Sequence, residues 1–274
     1  MMEVDIMMSF IKGIENKQFF EQMVAITDAL IEAGYKEVYR VRKQGKKNIE
    51  NIYYVGEKYV FIVIYNRNTN VMGYSLVDYD FYKSIIEVDE TVICNIMMRT
   101  MKDFKVVLRN KKYRNTIIHR LVISCEGKQV DHISHVAFIN IAEYLRPCTN
   151  QQNCLNKKFY SKVADNEKSF SLPVSIFNSE DKISLLGKGF VVKKKRIFSP
   201  EYSTTREMYE ALNKFETKYL GEFRYNPLID FSETWYALVI TKCLGGSDLE
   251  LMEYNRDFMI RNHKGIAKYY QLEV

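Results

Sequence analysis

The chain is poor in residues that break structure and in residues that cross-link it. Four prolines and twelve glycines in 274 residues leave little room for flexible linkers, and no low-complexity tract or internal repeat is visible. The five cysteines are odd in number and contain no Cys-x-x-Cys spacing, which indicates neither a disulfide framework nor a common zinc knuckle. No stretch reaches the roughly 18 apolar residues that a membrane-crossing helix needs. The N-terminus carries Glu3 and Asp5 where a secretory signal has positive charge. These absences describe a cytoplasmic protein with reduced thiols and no membrane partner.

What is present is a globular composition, 47% apolar and 27% charged, long enough to bury a core. Lysine and arginine exceed aspartate and glutamate by 40 to 34, a net charge of +6. So mild an excess is compatible with nucleic acid without requiring it.

Periodicity predicts an α+β chain. Phe19, Met23, Ile26, Leu30 and Ala33 recur at helical spacing, with Asn16 as N-cap and Gly34 at the end. The basic stretch from Lys36 to Lys47 reads as a hairpin, and "YVFIVIY" as a β-branched and aromatic strand. "FKVVLRN" and "TIIHRLVIS" read as two strands around a basic turn. Seven basic residues and one acid fall between Lys102 and Arg120. Thr149 is placed to cap a short helix bearing Asn153 and Asn156. Further on, Thr204 and Glu207 have capping-box spacing ahead of a helix through Tyr219, while "TWYALVITKC" reads as a buried strand. The run Lys193 to Arg196 is a solvated strand end or a phosphate contact.

Three of the four histidines, His119, His132 and His135, lie close together in the chain. Asp131 and His132 follow the strand-like "LVIS" and its turn, and precede the helix of Asn153. Two strands and a helix would bring Asp131, His132 and Asn153 together. A carboxylate and an amide carbonyl are hard ligands suited to Mg2+. A neutral imidazole beside them accepts a proton from an attacking water.

"IIHRLVI", "GKQVDHI", "NIAEYLRPCTNQQNCLNKK" and the upstream "SLVDYDFYK" resemble, in order, the HNH nucleases of the phage and intron homing-endonuclease branch. The resemblance covers residues 57 to 160, most strongly 117 to 158. It implies a central ββα-metal module over 57–160, flanked by an N-terminal helical and basic region at 1–56 and an α+β region at 161–274. It further implies Asp131 and Asn153 as ligands to Mg2+ or Mn2+, His132 as general base, and double-stranded DNA as substrate, in a bacterial or phage-infected cell. Arg109, Lys111, Lys112, Arg114, Arg120 and His119 are then the DNA-facing residues.

The pattern departs from the family at two places. Tyr144 stands where Asn-Leu-Arg usually begins, so a buried tyrosine bonding the loop backbone, with Asn140, takes over loop support. The loop "SHVAFINI" is apolar where the family is Gly- and Asp-rich. Two readings follow. One is a working metal-dependent DNA endonuclease. The other is a degenerate module acting by binding, for example on a host defence nuclease complex, with Val136, Phe138, Ile139 and Ile141 as its contact patch.

Overall fold

A computed structural model describes residues 17–44, 47–65, 71–100, 103–156, 175–179, 182–186, 217, 221–231, 235–264, 267 and 270–272. The chain is mixed α+β, with several sheets and few helices among the described residues. It divides into two compact units, one of Met1–Pro147 with Asp230–Leu251, the other of Cys148–Ile229 with Met252–Val274. Among the described residues no helix is long and apolar enough to cross a membrane.

The first unit opens with α1 (Lys17–Glu32), whose Met23, Ile26 and Leu30 are buried at the expected helical spacing. Gly34, at φ +82, ends the helix in a conformation that costs glycine little. Four antiparallel strands follow: β1 (Lys36–Gln44), β2 (Lys47–Val55), β3 (Tyr59–Tyr65) and β4 (Val71–Asp78). Every residue from Tyr59 to Ile64 is buried, which is why β3 reads as a continuous apolar run rather than an alternating one. The residue 56/57 boundary expected for an N-terminal region falls between two paired strands of this sheet.

Residues 79–87 form a helical segment with a π-helical stretch, Tyr82–Glu87. Arg40 caps it, Nη1 donating to the Ile86 carbonyl at 2.8 Å. A second sheet follows, of β5 (Ile93–Thr100), β6 (Asp103–Arg109) and the short β7 (Thr116–Ile117). Asn51 on β2 ties the two sheets together. Its side chain donates to the Cys94 carbonyl at 3.2 Å and accepts from the Cys94 N–H at 3.1 Å.

The strand expected through "TIIHRLVIS" is cut short. Arg114 and Asn115 take positive φ, 44° and 68°, and β7 pairs with β6 for only two positions. The chain then enters a single helical turn, α2 (His119–Val122). Ile118 and Leu121 are as compatible with a turn of helix as with a strand, and so short a run does not separate the periods.

β8 (Gln129–His132) pairs with β10 (Leu145–Cys148), and β9 (Ile139–Asn140) leaves them to join the first sheet. β9 runs parallel to β4, with Leu76 opposite Ile139 and Val77 opposite Asn140. This explains the apolar loop. Val136, Phe138, Ile139 and Ile141 are all buried, so the contact patch expected of a binding scaffold is core instead.

"TWYALVITKC" is helix, not strand: α3 spans Trp235–Cys243. Among its described side chains Trp235, Leu238, Val239, Lys242 and Cys243 are buried, a helical i, i+3, i+4, i+7, i+8 stripe that outweighs β-branched composition. In the second unit, Thr149 caps α4 (Asn150–Leu155) through a reciprocal capping box with Gln152. β11 (Ser175–Ser179) and β12 (Lys182–Leu186) form a hairpin. The last helix, α5, spans Asp248–Asn262. The helix expected over residues 204–219 lies outside the described residues apart from Thr217, as does the whole run Lys193 to Arg196.

Candidate functional site

Asp131 is 4% exposed, and a buried carboxylate requires a partner. That partner is Arg146 on the neighbouring strand β10. Its Nε donates to Asp131 Oδ2 at 2.9 Å, and Nη2 lies 2.8 Å from the same oxygen. The ion pair sits inside the β8–β10 ribbon and fixes the backbone that carries His132.

His132 faces Asn140. The Asn140 amide nitrogen donates to Ser75 Oγ at 3.0 Å and to the Ala137 carbonyl at 3.2 Å, which turns its Oδ1 toward His132 Nε2 at 3.3 Å. A carbonyl oxygen only accepts, so Nε2 carries the hydrogen and Nδ1 carries the lone pair. Burial pushes the His132 imidazole down to about 4, against the opposing pull of the Asn140 bond and the Asp131 charge. The ring is neutral at pH 7 and can accept a proton. The same desolvation makes it a weaker base than a solvated histidine.

His119, on α2, packs edge to face against His132 with ring centroids 4.7 Å apart. Burial, then the neighbouring His132, Arg120 and Lys105, push it down to about 3. It is buried, so it stands behind His132 rather than among the exposed basic residues. Arg109, Lys111, Lys112, Arg114 and Arg120 are all exposed.

His135 is the third histidine of the cluster. Its Nδ1 lies 3.3 Å from Oδ1 of Asp230, a carboxylate with no exposed side-chain surface. Asp230 was not legible as a partner, because a lone aspartate so distant in the chain carries no local signal.

Tyr144 is buried as expected, but its hydroxyl donates to the Asp248 carboxylate at 2.7 Å rather than to loop backbone. Its ring stands edge-on to Phe231, centroids 5.5 Å apart. Lys242, on α3, joins this cluster, donating to Asp248 at 2.7 Å and to Glu143 at 3.0 Å. Tyr144 therefore clasps α3 and the start of α5 to the loop. Support within the loop itself comes from Asn140 and Ser75.

No family model, curated protein or solved structure matches the chain. Among the described residues no group of three or more His, Cys, Asp and Glu side chains is placed to hold a metal ion. Asp131 and His132 belong to the first unit, whereas Asn153, on α4, belongs to the second. A guanidinium already engages Asp131 Oδ2, and a divalent cation at that oxygen would face a like charge. This donor set does not fit a resident Mg2+ or Mn2+.

Proposed function

We propose that the chain is a DNA endonuclease that hydrolyses phosphodiester bonds with His132 as general base. The observation that carries the reading is the His132–Asn140 bond, which fixes the ring of a neutral imidazole able to take up a proton. Asp131 and Arg146 hold β8, and Asn140 and Ser75 hold the ring. A water at the imidazole gives its proton to His132 as its oxygen bonds to phosphorus, and the bond from phosphorus to the leaving sugar oxygen breaks, its electron pair staying on that oxygen. The exposed Arg109, Lys111, Lys112, Arg114 and Arg120 supply cationic contacts for the DNA backbone. No step is routed through a metal, because the donor set does not fit one.

A second reading, a module that acts by binding a host protein complex, is favoured by the Asp131–Arg146 pair, which commits the acidic residue of the motif to structure. Incubation of the purified chain with supercoiled plasmid separates the two. Conversion to nicked or linear DNA by the wild type, lost in His132→Ala, supports the nuclease. Intact plasmid under Mg2+, Mn2+ and chelator alike supports the binding module.

A further inference from the structure

Four basic residues and no acid fall between Arg109 and Thr116, where β6 ends opposite the start of β5. Arg109, Lys111, Lys112 and Arg114 are exposed, whereas Tyr113 among them is buried and anchors the turn. Lys112 Nζ lies 4.9 Å from the centre of the Tyr113 ring, a cation–π contact. Arg114 and Asn115 both take left-handed φ, 44° and 68°. An arginine adopts that conformation only where its surroundings impose it.

Here one amide and one carboxylate impose it. Asn110 Oδ1 accepts from the Tyr113 N–H at 2.7 Å, and the Asn110 carbonyl accepts from the Arg114 N–H at 3.1 Å. Asn110 Nδ2 donates to Asp89 Oδ2 at 2.8 Å and to Thr91 Oγ1 at 3.0 Å. Asp89 Oδ1 in turn accepts from the Thr91 N–H at 2.9 Å and from the Thr91 hydroxyl at 2.6 Å. Thr91 holds the Asp89 carboxyl below the ordinary carboxylate range, and Asn110 and the Lys112 charge add to this against desolvation. An ionised acid therefore sits at the base of a cationic turn. Attraction to phosphate alone would be stronger without it.

We propose that Asp89, acting through Asn110, is a positioning residue that sets the turn from Arg109 to Thr116 to present its cations to the DNA backbone. The inference rests on the reading of the chain as a DNA endonuclease. A loose turn loses backbone freedom when its cations meet phosphates, and that ordering weakens binding. A turn fixed before DNA arrives has already lost it. The two effects of Asp89 on DNA binding thus have opposite signs. Repulsion of phosphate by one exposed charge is screened by salt, and the hydrogen-bonded brace outweighs it.

The sign of one substitution is the test, read by fluorescence anisotropy with a labelled duplex. Asp89→Ala should weaken DNA binding about tenfold, although it removes a negative charge from a phosphate-binding face. Asn110→Ala should weaken it similarly. The double variant should bind no worse than the weaker single one, since both changes break one link. Equal or tighter binding by Asp89→Ala overturns the proposal, as do additive losses in the double variant. A lower melting temperature with unchanged affinity marks the brace as structural only, and overturns it too. Should the alanine variants not fold, Thr91→Val decides, because it removes only the hydroxyl that Asp89 and Asn110 share. Weaker binding by Thr91→Val supports the brace, and equal or tighter binding overturns it. A wild type that does not bind the duplex overturns the DNA reading itself, and this role with it.

Discussion

Arg146 and Asp131 face each other across β8 and β10, the guanidinium Nε donating to Oδ2 at 2.9 Å inside the first unit. The residue that a metal-dependent nuclease would use as a ligand is here half of a buried ion pair. Such a pair adds little net stability, but breaking it strands a charge in the interior.

Arg146→Ala and Asp131→Ala should each destabilise the fold by about 3–5 kcal/mol, read from the shift in urea midpoint. The double change Asp131→Leu with Arg146→Met should recover most of that loss, since it strands no charge. Single-variant losses below about 1 kcal/mol, the range of exposed pairs, would mean the pair is solvated in solution.

The two depressed histidines make stability depend on pH. His132 and His119 titrate at about 4 and about 3 when folded, against about 6.5 when unfolded. Between those values the unfolded chain binds more protons than the folded one, so stability rises with pH. Their contribution is complete above pH ~6.5 and is lost as pH falls from there toward the folded values. Asp248, held below the ordinary carboxylate range by Lys242 and Tyr144 against its own desolvation, adds its loss only at lower pH. Urea midpoints at pH 7 and pH 5 should differ in the wild type and differ less in His119→Phe. A profile that is flat between pH 7 and pH 5 would contradict two imidazoles held neutral by desolvation.

Tyr144 tests whether the altered motif is a loop brace or a clasp. Tyr144→Phe removes a bond to a carboxylate and should cost about 1.5–3 kcal/mol. Tyr144→Asn also removes a buried ring and should cost more, with no gain in cleavage. A thermal scan reads both. Increased cleavage in Tyr144→Asn would show that the loop, not α3, depends on this position.

The exposed cations predict a salt signature. If Lys111 and Lys112 each neutralise a phosphate, Lys111→Ala with Lys112→Ala should lower the slope of log affinity against log salt by about 2. Fluorescence anisotropy with a labelled duplex measures it. An unchanged slope would place DNA on another face.

Much of the local structure was legible in the sequence because the signals are local. Met23, Ile26 and Leu30 announce α1, and Thr149 announces its capping box. The capping box of Ser247 and Glu250, which bond reciprocally at 2.8 and 3.3 Å ahead of α5, was not read from the sequence. The misread elements are those whose identity depends on distant partners. "SHVAFINI" looks like an exposed apolar loop until β4 supplies a parallel neighbour for Ile139 and Asn140. "TWYALVITKC" has strand composition, and only its buried stripe marks it as helix. At the site, His132 and Asn140 were legible by type, whereas Arg146 and Asp230 became visible only when folding brought them to Asp131 and His135.

Single-turnover cleavage of a DNA duplex by wild type and by His132→Ala, both confirmed folded by melting temperature, tests the central claim most directly. The account predicts a loss on the order of a hundredfold or more in the variant, as removal of a general base gives. Equal rates in the two proteins, or no cleavage by the wild type, would contradict it.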